Sequence, residues 1–286
     1  MKVRIVSSLI GLCILGVALY FYDTLALSAF VFLLCALAIM ELFHAAGLTK
    51  YRFLCVVSLL FCLALVFQNT RPVSLFFARI IFGFIVALFL YQLYRHETLR
   101  IEQTCYAFFM TILVSMSFYC LILMKEIAGA QVGVFYLFLA LGSAWWADSG
   151  AFFVGTFLGK HKLCPTVSPK KTVEGLVGGI LTAMLGNLLV CVLYESISMA
   201  LVPTGYFIHH VSVNIPMVLI LTPVLSLLGV LGDLSASVIK RQYGVKDFGH
   251  IMPGHGGIMD RFDSVLFITP AIFMILNIFP LVSVIE

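Results

Sequence analysis

Charged side chains are scarce in this sequence of 286 residues. Only 30 residues carry a formal charge, 17 Lys or Arg and 13 Asp or Glu, whereas a soluble domain of this length has roughly 70. Apolar residues make up 62% of the chain. A soluble globule is excluded because too few polar side chains remain to cover its surface, and disorder is excluded because the chain is too apolar. The composition therefore predicts an integral membrane protein.

Several arrangements that carry chemistry in other proteins are also missing. The eight cysteines are scattered without a CxxC spacing, so neither a zinc site nor a disulfide framework is suggested. No Ser-His-Asp or Cys-His array is visible. The segment around Gly159-Lys160 lacks the spacing of a P-loop and continues with His161, not Ser or Thr. Any activity must therefore rest on other residues.

Long apolar runs are abundant, and they predict an all-α polytopic protein with about nine transmembrane helices. The runs are continuously apolar, whereas the strands of a membrane β-barrel alternate between polar and apolar residues. We read the first run as a retained span and not as a cleaved signal peptide. The third and ninth runs are short for a bilayer. The predicted spans are 5–22, 25–43, 53–68, 73–93, 106–124, 132–157, 176–194, 216–238 and 265–279.

The basic residues predict the orientation of these spans. With a cytoplasmic N-terminus, 14 of the 17 Lys and Arg residues fall in cytoplasmic segments. Arg71 and Lys125 fall on the opposite side, and Arg79 lies within a span. This asymmetry is what the positive-inside rule requires, and adding or removing one span would destroy it. We therefore expect a multi-pass membrane protein with its N-terminus in the cytoplasm.

The two halves of the chain differ in polar content. In residues 1–130 the main polar exceptions in or beside spans are Glu41, His44 and Arg79, and the pattern gives none of them a function. We expect these N-terminal transmembrane helices to form a scaffold with dimer or lipid contacts. We expect residues 131–286 to form the catalytic region, with two cytoplasmic basic loops at 158–174 and 240–262.

The sixth span carries an acidic residue, Asp148, inside an apolar run. A carboxylate at the centre of a membrane helix costs about 2.5–3.5 kcal/mol on insertion scales, so Asp148 needs a partner or a water-filled cavity. The nearby Gly150, Gly155 and Gly159 have a near-helical spacing that favours close helix packing.

The first basic loop contains Ser168-Pro-Lys-Lys-Thr-Val-Glu-Gly175. Ser168 followed by Pro169 predicts an N-cap, with a helix beginning at Lys170-Lys171-Thr172. Two lysines beside the amides of a helix N-terminus would form an anion site suited to phosphate. Ordinary positive-inside topology explains the two lysines equally well, although it does not explain the Ser-Pro pair.

The end of the eighth span and the loop after it are dense in charge. Asp233, Ser237 and Lys240 or Arg241 share one face of a helix, and Asp260 and Asp263 share another if the ninth helix begins there. Carboxylates without matched positive partners favour a bound cation, and oxygen ligands favour Mg²⁺. Lysines and arginines nearby would hold phosphate, and Gly256-Gly257 would permit close approach to a ligand. A structural network of ion pairs is the alternative.

The segment 237–263 reads S-x-I-K-R-x4-K-D-x-G-x2-M-P-x-H-G-G-I-x-D-R-F-D. It resembles the signature of phosphatidate cytidylyltransferases (CDP-diacylglycerol synthases), with Met252 where the family usually has Leu, Ile or Phe. The resemblance extends back to Asp148-Ser-Gly-Ala-Phe, Gly159-Lys-x-Lys-Leu and Ser168-Pro-Lys-Lys-Thr-x-Glu-Gly. It covers roughly residues 140–270, and the N-terminal half resembles the family only in being hydrophobic.

The resemblance implies transfer of CMP from CTP to phosphatidic acid, which gives CDP-diacylglycerol and pyrophosphate in phospholipid biosynthesis. It implies a multi-pass enzyme of a bacterial plasma (inner) membrane with its active site on the cytoplasmic side. It implies a homodimer, Mg²⁺ held by Asp233 and Asp260, with Asp263 as a further candidate ligand, and a second monovalent cation such as K⁺. Lys240 and Arg241 join the two aspartates as candidate catalytic residues. The other candidate substrate-binding residues are Asp148, Ser168, Lys170, Lys171, Ser237, Lys246, His255, Gly256, Gly257 and Arg261. The expected partners are CTP, phosphatidic acid and the bilayer, and we expect no nucleic acid.

Two alternatives remain open on the sequence alone. A cation-coupled transporter or channel would use Asp148, Asp233 and Asp260 along an ion pathway. Such a protein usually has two related halves with broken spans in matching positions, and the polar residues here crowd into one half. A CTP-dependent enzyme acting on a different lipid acceptor is the nearer alternative.

Overall fold

The protein is described by a computed structural model that covers residues 11, 13–68, 73–202, 209–254 and 256–285. It is nearly all α-helical, as expected. Residues 13–20 are helical, and the rest of the first predicted span lies mostly outside the described residues. The further helices are α1 (Leu25–Ala45), α2 (Arg52–Val66), α3 (Val73–Tyr94), α4 (Ile101–Leu158), α5 (Val173–Leu201), α6 (Ile215–Gln242), α7 (Met259–Phe262) and α8 (Val265–Ile278).

The positions of these helices follow the predicted apolar runs closely. The long helix α4 contains the fifth and sixth runs, and Gly129 interrupts it with φ 80° and ψ 162°. Only glycine adopts this conformation readily, so the break falls where the sequence separates two spans. Helix α1 begins after Thr24, whose Oγ1 accepts a hydrogen bond from the Ala26 N–H at 3.1 Å. It ends at Ala45, and Gly47, two residues later, has a positive φ of 65°.

In the part of the chain that the structure describes, five helices are long and apolar enough to cross a membrane. They are α1, the 76–94 part of α3, α4, α5 and α6. Helices α2 and α8 have only 15 and 14 residues, about 22 Å at 1.5 Å per residue, which is shorter than the hydrocarbon core. Leucines 181, 185 and 189 of α5 remain exposed on one face, as lipid contact requires. The chain is a multi-pass membrane protein, and nine crossings with a cytoplasmic N-terminus stay predictions.

The chain divides into two compact units. The first comprises Met1–Ile122 and Lys240–Phe262, and the second comprises Leu123–Ile239 and Asp263–Glu286. In the first unit, α1, α2 and α3 pack together, and an aromatic series joins α2, α3 and α4. Phe61 stacks on Phe84 at 4.6 Å between ring centroids, and Phe84 stacks on Phe108 at 5.9 Å. The roles predicted for residues 1–130 and 131–286 stay predictions.

In the second unit, glycines bring α5 against the end of α4. A Cβ atom on Gly179 would lie 2.6 Å from the Ala147 carbonyl oxygen, and one on Gly175 would lie 2.8 Å from that of Ala151. Such distances leave no room for a side chain, so the two backbones touch. The predicted use of Gly150, Gly155 and Gly159 for close packing is confirmed, since each also has an atom of residues 172–182 within 3.0 Å of its ideal Cβ position.

Two small antiparallel sheets, which the sequence pattern did not predict, also belong to the second unit. Strands β1 (Lys162–Cys164) and β2 (Ser168–Thr172) form a hairpin in the first basic loop, with Lys162 opposite Thr172 and Cys164 opposite Ser168. Strands β3 (His210–Val213) and β4 (Val282–Ile285) pair from His210–Ile285 to Val213–Val282. The first hairpin places Lys170 and Lys171 immediately before α5.

Candidate active site

Lys240 and Asp260 form a largely buried ion pair in the first unit. Lys240 lies in the last turn of α6, and Asp260 is the second residue of α7. The Lys240 Nζ lies 2.8 Å from the Asp260 Oδ1, with side-chain exposures of only 13% and 4%. Such a pair has a fixed geometry because neither side chain can exchange its partner for bulk water without rearrangement.

The second carboxylate oxygen of Asp260 binds the backbone of the loop that precedes this residue in the chain. Asp260 Oδ2 accepts hydrogen bonds from the backbone N–H of Phe248 at 2.8 Å and of Gly257 at 3.0 Å. Gly256 has φ +84°, and a Cβ atom there would lie 2.9 Å from Asp260 Oδ2. The glycine pair of the signature therefore lets the backbone approach this carboxylate. Its predicted approach to a ligand stays a prediction.

Glu41 is a residue of this cluster to which the sequence pattern assigned no function. Its side chain is buried in α1, and its two carboxylate oxygens accept hydrogen bonds from the backbone N–H groups of Ile258 and Met259 at 3.0 and 2.9 Å. The only available signal was a carboxylate near the end of an apolar helix. Nothing in the sequence linked it to a segment 217 residues away.

A second lysine–aspartate pair lies in the second unit. Lys171 at the end of the β1–β2 hairpin forms an ion pair with Asp233 of α6. Ser237, one helical turn after Asp233, donates a hydrogen bond from its Oγ to Asp233 Oδ1 at 3.4 Å. This contact confirms that Asp233 and Ser237 share a helix face. The Lys171 and Asp233 side chains are 23% and 25% exposed, so this pair is more accessible than the pair at Asp260.

The predicted N-cap at Ser168 is wrong. Ser168, Pro169 and Lys170 belong to strand β2, and helix α5 begins only at Val173. The N-cap is Thr172, whose Oγ1 accepts a hydrogen bond from the Gly175 N–H at 3.1 Å. Pairing with β1 keeps residues 168–172 extended, so neither lysine lies in the first helical turn. Lys170 and Lys171 therefore approach the helix N-terminus from the strand that precedes it.

Glu174, in the first turn of α5, holds the start of the hairpin. Its carboxylate accepts hydrogen bonds from the backbone N–H groups of Lys160 at 3.0 Å and His161 at 3.1 Å. The His161 Nδ1 lies 2.6 Å from the other carboxylate oxygen. The Thr-x-Glu-Gly sequence is thus explained by local structure, because Thr172 caps the helix and Glu174 fixes the chain at the exit of α4.

Asp260 and Asp263 do not lie on one continuous helix, so the condition under which they would share a face is not met. Helix α7 ends at Phe262, and α8 begins at Val265. Asp263 lies in the turn between them, where its Oδ1 accepts a hydrogen bond from the Ser264 N–H at 2.8 Å. This bond satisfies the Ser264 N–H at the interruption between the two helices.

The other predicted site residues are mostly exposed. Four of them are basic and lie in the two predicted cytoplasmic loops, where they would suit binding of a soluble nucleotide or a lipid headgroup, whereas Asp148 lies within a predicted span. His255 lies outside the described residues. The exposed residues are Asp148 in α4, Lys170 in β2, Arg241 at the end of α6, Lys246 in the following loop and Arg261 in α7.

The expectation that the signature carboxylates lack matched positive partners is wrong. Asp233 pairs with Lys171, and Asp260 pairs with Lys240. Unmatched charge therefore no longer argues for a cation, and the described residues include no group of three or more His, Cys, Asp or Glu side chains that could hold a metal. Any argument for Mg²⁺ must rest on the donor chemistry of each carboxylate.

The two aspartates differ in how well they suit a metal ion. Asp233 is a quarter exposed, and it contacts two side chains, Lys171 and Ser237, that can rotate away. Carboxylate oxygens are donors that Mg²⁺ prefers, so Asp233 fits the role of a ligand. Asp260 is nearly buried, and two backbone N–H groups and an ammonium already occupy its oxygens. It fits the role only if one of those donors is displaced.

Comparison with known proteins gives a consistent result. The model of the cytidylyltransferase family matches residues 2–279. The phosphatidate cytidylyltransferase of Bacillus subtilis (strain 168) is 38% identical over 195 residues, which cover 68% of this chain and 66% of that protein. The phosphatidate cytidylyltransferase of Staphylococcus epidermidis (strain ATCC 12228) is 34% identical over 278 residues, which cover 96% of this chain and 99% of that protein. That of Staphylococcus haemolyticus is 43% identical over 144 residues, half of each chain.

Proposed function

We propose, because the chain belongs to the cytidylyltransferase family, that it transfers CMP from CTP to phosphatidic acid and so produces CDP-diacylglycerol and pyrophosphate. Three relatives from Bacillus and Staphylococcus bear the name phosphatidate cytidylyltransferase. The observation that carries the proposal is the signature segment, whose Asp260 joins Lys240, Phe248 and Gly257 in one buried polar cluster.

The proposed reaction depends more on positioning the substrates and neutralising their charge than on acid–base catalysis. A phosphate oxygen of phosphatidic acid forms a bond to the α-phosphorus of CTP. The bond from that phosphorus to the bridging oxygen of the β-phosphate breaks, and pyrophosphate leaves with the electron pair. The nucleophile is already anionic near neutral pH, so the site needs no strong general base. Fixed cations that stabilise charge on the phosphates supply most of the catalysis in such a reaction.

Lysines and arginines would bind the two anionic substrates. We assign Lys240, Arg241, Lys246 and Arg261 to the triphosphate and the leaving pyrophosphate, and Lys170 and Lys171 to the lipid phosphate. The ion pairs support this assignment, because they place Lys240 beside Asp260 and Lys171 beside Asp233, the two aspartates of the proposed site. Ser168, Ser237, Asp148, His255, Gly256 and Gly257 are the further proposed substrate contacts.

We also propose that Mg²⁺ assists the reaction, with Asp233 and Asp260 as ligands and Asp263 as a further candidate. When bound, the ion would neutralise phosphate charge that lysines alone leave uncompensated. Asp233 belongs to the second unit and Asp260 to the first, so joint ligation stays a proposal. A second, monovalent cation such as K⁺ is proposed on the family resemblance alone.

The apolar helices support a membrane setting, and the finer details are proposals. We propose that the protein resides in a bacterial plasma (inner) membrane as a homodimer, with its active site on the cytoplasmic side. The support is the sequence, in which 14 of 17 basic residues fall on one predicted side. CTP is a cytoplasmic metabolite, so the orientation matches the supply of substrate.

The purified protein tests this function directly. Pyrophosphate release is measured with CTP, Mg²⁺ and one of three acceptors, namely phosphatidic acid, diacylglycerol without the phosphate, or an isoprenoid phosphate. We expect release only with phosphatidic acid, and we expect chelation of Mg²⁺ to abolish it and re-addition to restore it. Release with the isoprenoid phosphate alone would point to a different acceptor. No release with any acceptor would defeat the proposal.

A further inference from the structure

We propose that Glu41 is a positioning residue for the reaction, because it holds the backbone turn at residues 257–259 and thereby fixes the place of Asp260. The inference rests on the proposed function for its catalytic meaning. Its structural part can be tested without any activity.

Glu41 lies in an apolar helix where a carboxylate needs a strong reason to remain. Its neighbours in α1 are Met40 and Leu42, and the residue is only 6% exposed. A buried carboxylate must be matched by hydrogen-bond donors, since the cost of removing it from water is large. The donors of Glu41 therefore identify what it is fixed to.

Those donors are consecutive backbone amides at the start of α7. Ile258 donates its N–H to Glu41 Oε1 at 3.0 Å, and Met259 donates its N–H to Oε2 at 2.9 Å. The next residue in the chain is Asp260. The two Glu41 oxygens thus accept hydrogen bonds from the two residues that immediately precede Asp260 in the chain.

Asp260 itself also binds the backbone of this turn. Gly257, the residue before Ile258, donates its N–H to Asp260 Oδ2 at 3.0 Å. Three successive amides, at residues 257, 258 and 259, are therefore divided between the two carboxylates. Since Asp260 also binds Lys240, a shift of this turn would move the ion pair as well.

Two glycines of the signature make room for the Glu41 carboxylate. A Cβ atom on Gly249 would lie 2.6 Å from Glu41 Cδ, and one on Gly257 would overlap the carboxylate oxygens. At Gly249 and Gly257 the loop thus leaves space for the Glu41 carboxylate, in addition to the hydrogen bonds that it donates to it. A residue that served only to fill the core of α1 would not require this clearance from another segment.

Glutamine is the informative replacement at this position. Glu41→Gln keeps the size of the side chain, but its amide offers one acceptor oxygen, and its NH₂ group would face a backbone N–H. One of the two hydrogen bonds is then lost, and two donors are brought together. Hydrogen–deuterium exchange of the ligand-free protein in detergent should show faster exchange at residues 257–262. Residues 160–172 of the first hairpin should be unchanged.

Steady-state kinetics distinguish a positioning role of Glu41 from a general loss of protein stability. For the folded fraction of Glu41→Gln, we expect kcat to fall about 10–100-fold, as for groups that orient an active-site residue, while the KM for phosphatidic acid changes less than about twofold. Glu195→Gln is the matched control, because Glu195 also accepts a backbone N–H, that of Val213 at 2.6 Å, but fixes strand β3. Its kcat should stay within about twofold of the wild type, below the range expected at Glu41.

A second variant covers a failure of Glu41→Gln to fold. Gly249→Ala keeps the charge of Glu41 and pushes a methyl group against its carboxylate, so it should raise exchange in the same segment and lower kcat in the same direction. Unchanged exchange at 257–262 would overturn the proposal, and so would raised exchange with a kcat within twofold of wild type. A wild-type protein that releases no pyrophosphate would defeat the proposed function instead, and the exchange data would still decide whether Glu41 holds the turn.

Discussion

The Lys240 ammonium lies 2.8 Å from the Asp260 carboxylate, at the meeting of the last turn of α6 with helix α7. Both side chains are largely buried, so each neutralises the other in a place that water reaches poorly. The proposed reaction needs both charges for a different purpose, which is to bind phosphate and metal. A structure with this pair closed is therefore expected to open it when substrates bind.

The first prediction concerns this pair. Asp260→Asn should lower the rate of pyrophosphate release by about 10²–10³-fold. It should also lower the thermal midpoint, because an unmatched Lys240 remains in a buried site, a change that costs about 3–5 kcal/mol in comparable buried pairs. The double variant Lys240→Met/Asp260→Asn should regain much of that stability and stay inactive. A double variant no more stable than Asp260→Asn would show that the pair is not coupled.

The two neighbouring lysines of the hairpin should behave differently. Lys171 is held by Asp233, and Lys170 is exposed. Lys171→Ala should raise the KM for phosphatidic acid about tenfold, the loss of one charge-assisted hydrogen bond, and should also lower the thermal midpoint. Lys170→Ala should raise the same KM with little change in stability. If either variant changed only the KM for CTP, the assignment of these lysines to the lipid phosphate would be wrong.

The third prediction tests the corrected start of α5. Thr172→Ala removes the side-chain oxygen that accepts the Gly175 N–H and should cost about 1 kcal/mol of stability. Thr172→Ser retains that oxygen and is the matched control. Ser168→Ala should cost less than Thr172→Ala, because Ser168 lies in strand β2 and does not cap the helix. Thermal unfolding in detergent gives the comparison, and an equal loss for Ser168→Ala would contradict it.

The fourth prediction concerns the glycine contacts between α4 and α5. Gly179→Ala places a Cβ atom 2.6 Å from the Ala147 carbonyl oxygen, a backbone atom that cannot rotate away, and should destabilise the protein by about 1–3 kcal/mol. Gly83→Ala in α3 is the control, since among the described residues no atom outside the local helix backbone lies within 4 Å of the ideal Cβ position there. The control should be neutral or stabilising by up to about 1 kcal/mol. A stable Gly179→Ala protein would indicate that the helices can separate without loss.

Much of the fold could be predicted because apolar runs and helix breaks are local properties. The run 25–43 became α1, and the separation of the fifth and sixth runs coincides with Gly129. The alignment of Asp233 with Ser237 also follows from the helical repeat alone. The identity of the family rested on the spacing of polar residues in the signature, which needs no three-dimensional information.

The contacts that the sequence did not predict are those between segments that lie far apart in the chain. Ser168-Pro169 has the composition of a helix start, but pairing with Lys162–Cys164 extends it into a strand and shifts the cap to Thr172. The lysine partners of Asp233 and Asp260 follow from the positions of a hairpin and a helix end, and spacing alone does not reveal them. Glu41 was missed for the same reason, because its donors lie more than two hundred residues away.

The central claim is that the lipid phosphate attacks the α-phosphorus of CTP, and the fate of two labels tests it most directly. The protein in detergent is incubated with phosphatidic acid, Mg²⁺ and CTP labelled with ³²P at either the α or the γ position. We predict that the α label moves into the lipid fraction as CDP-diacylglycerol, and that the γ label appears only in pyrophosphate. Transfer of the γ label to the lipid, or no label in lipid from either CTP, would contradict the account.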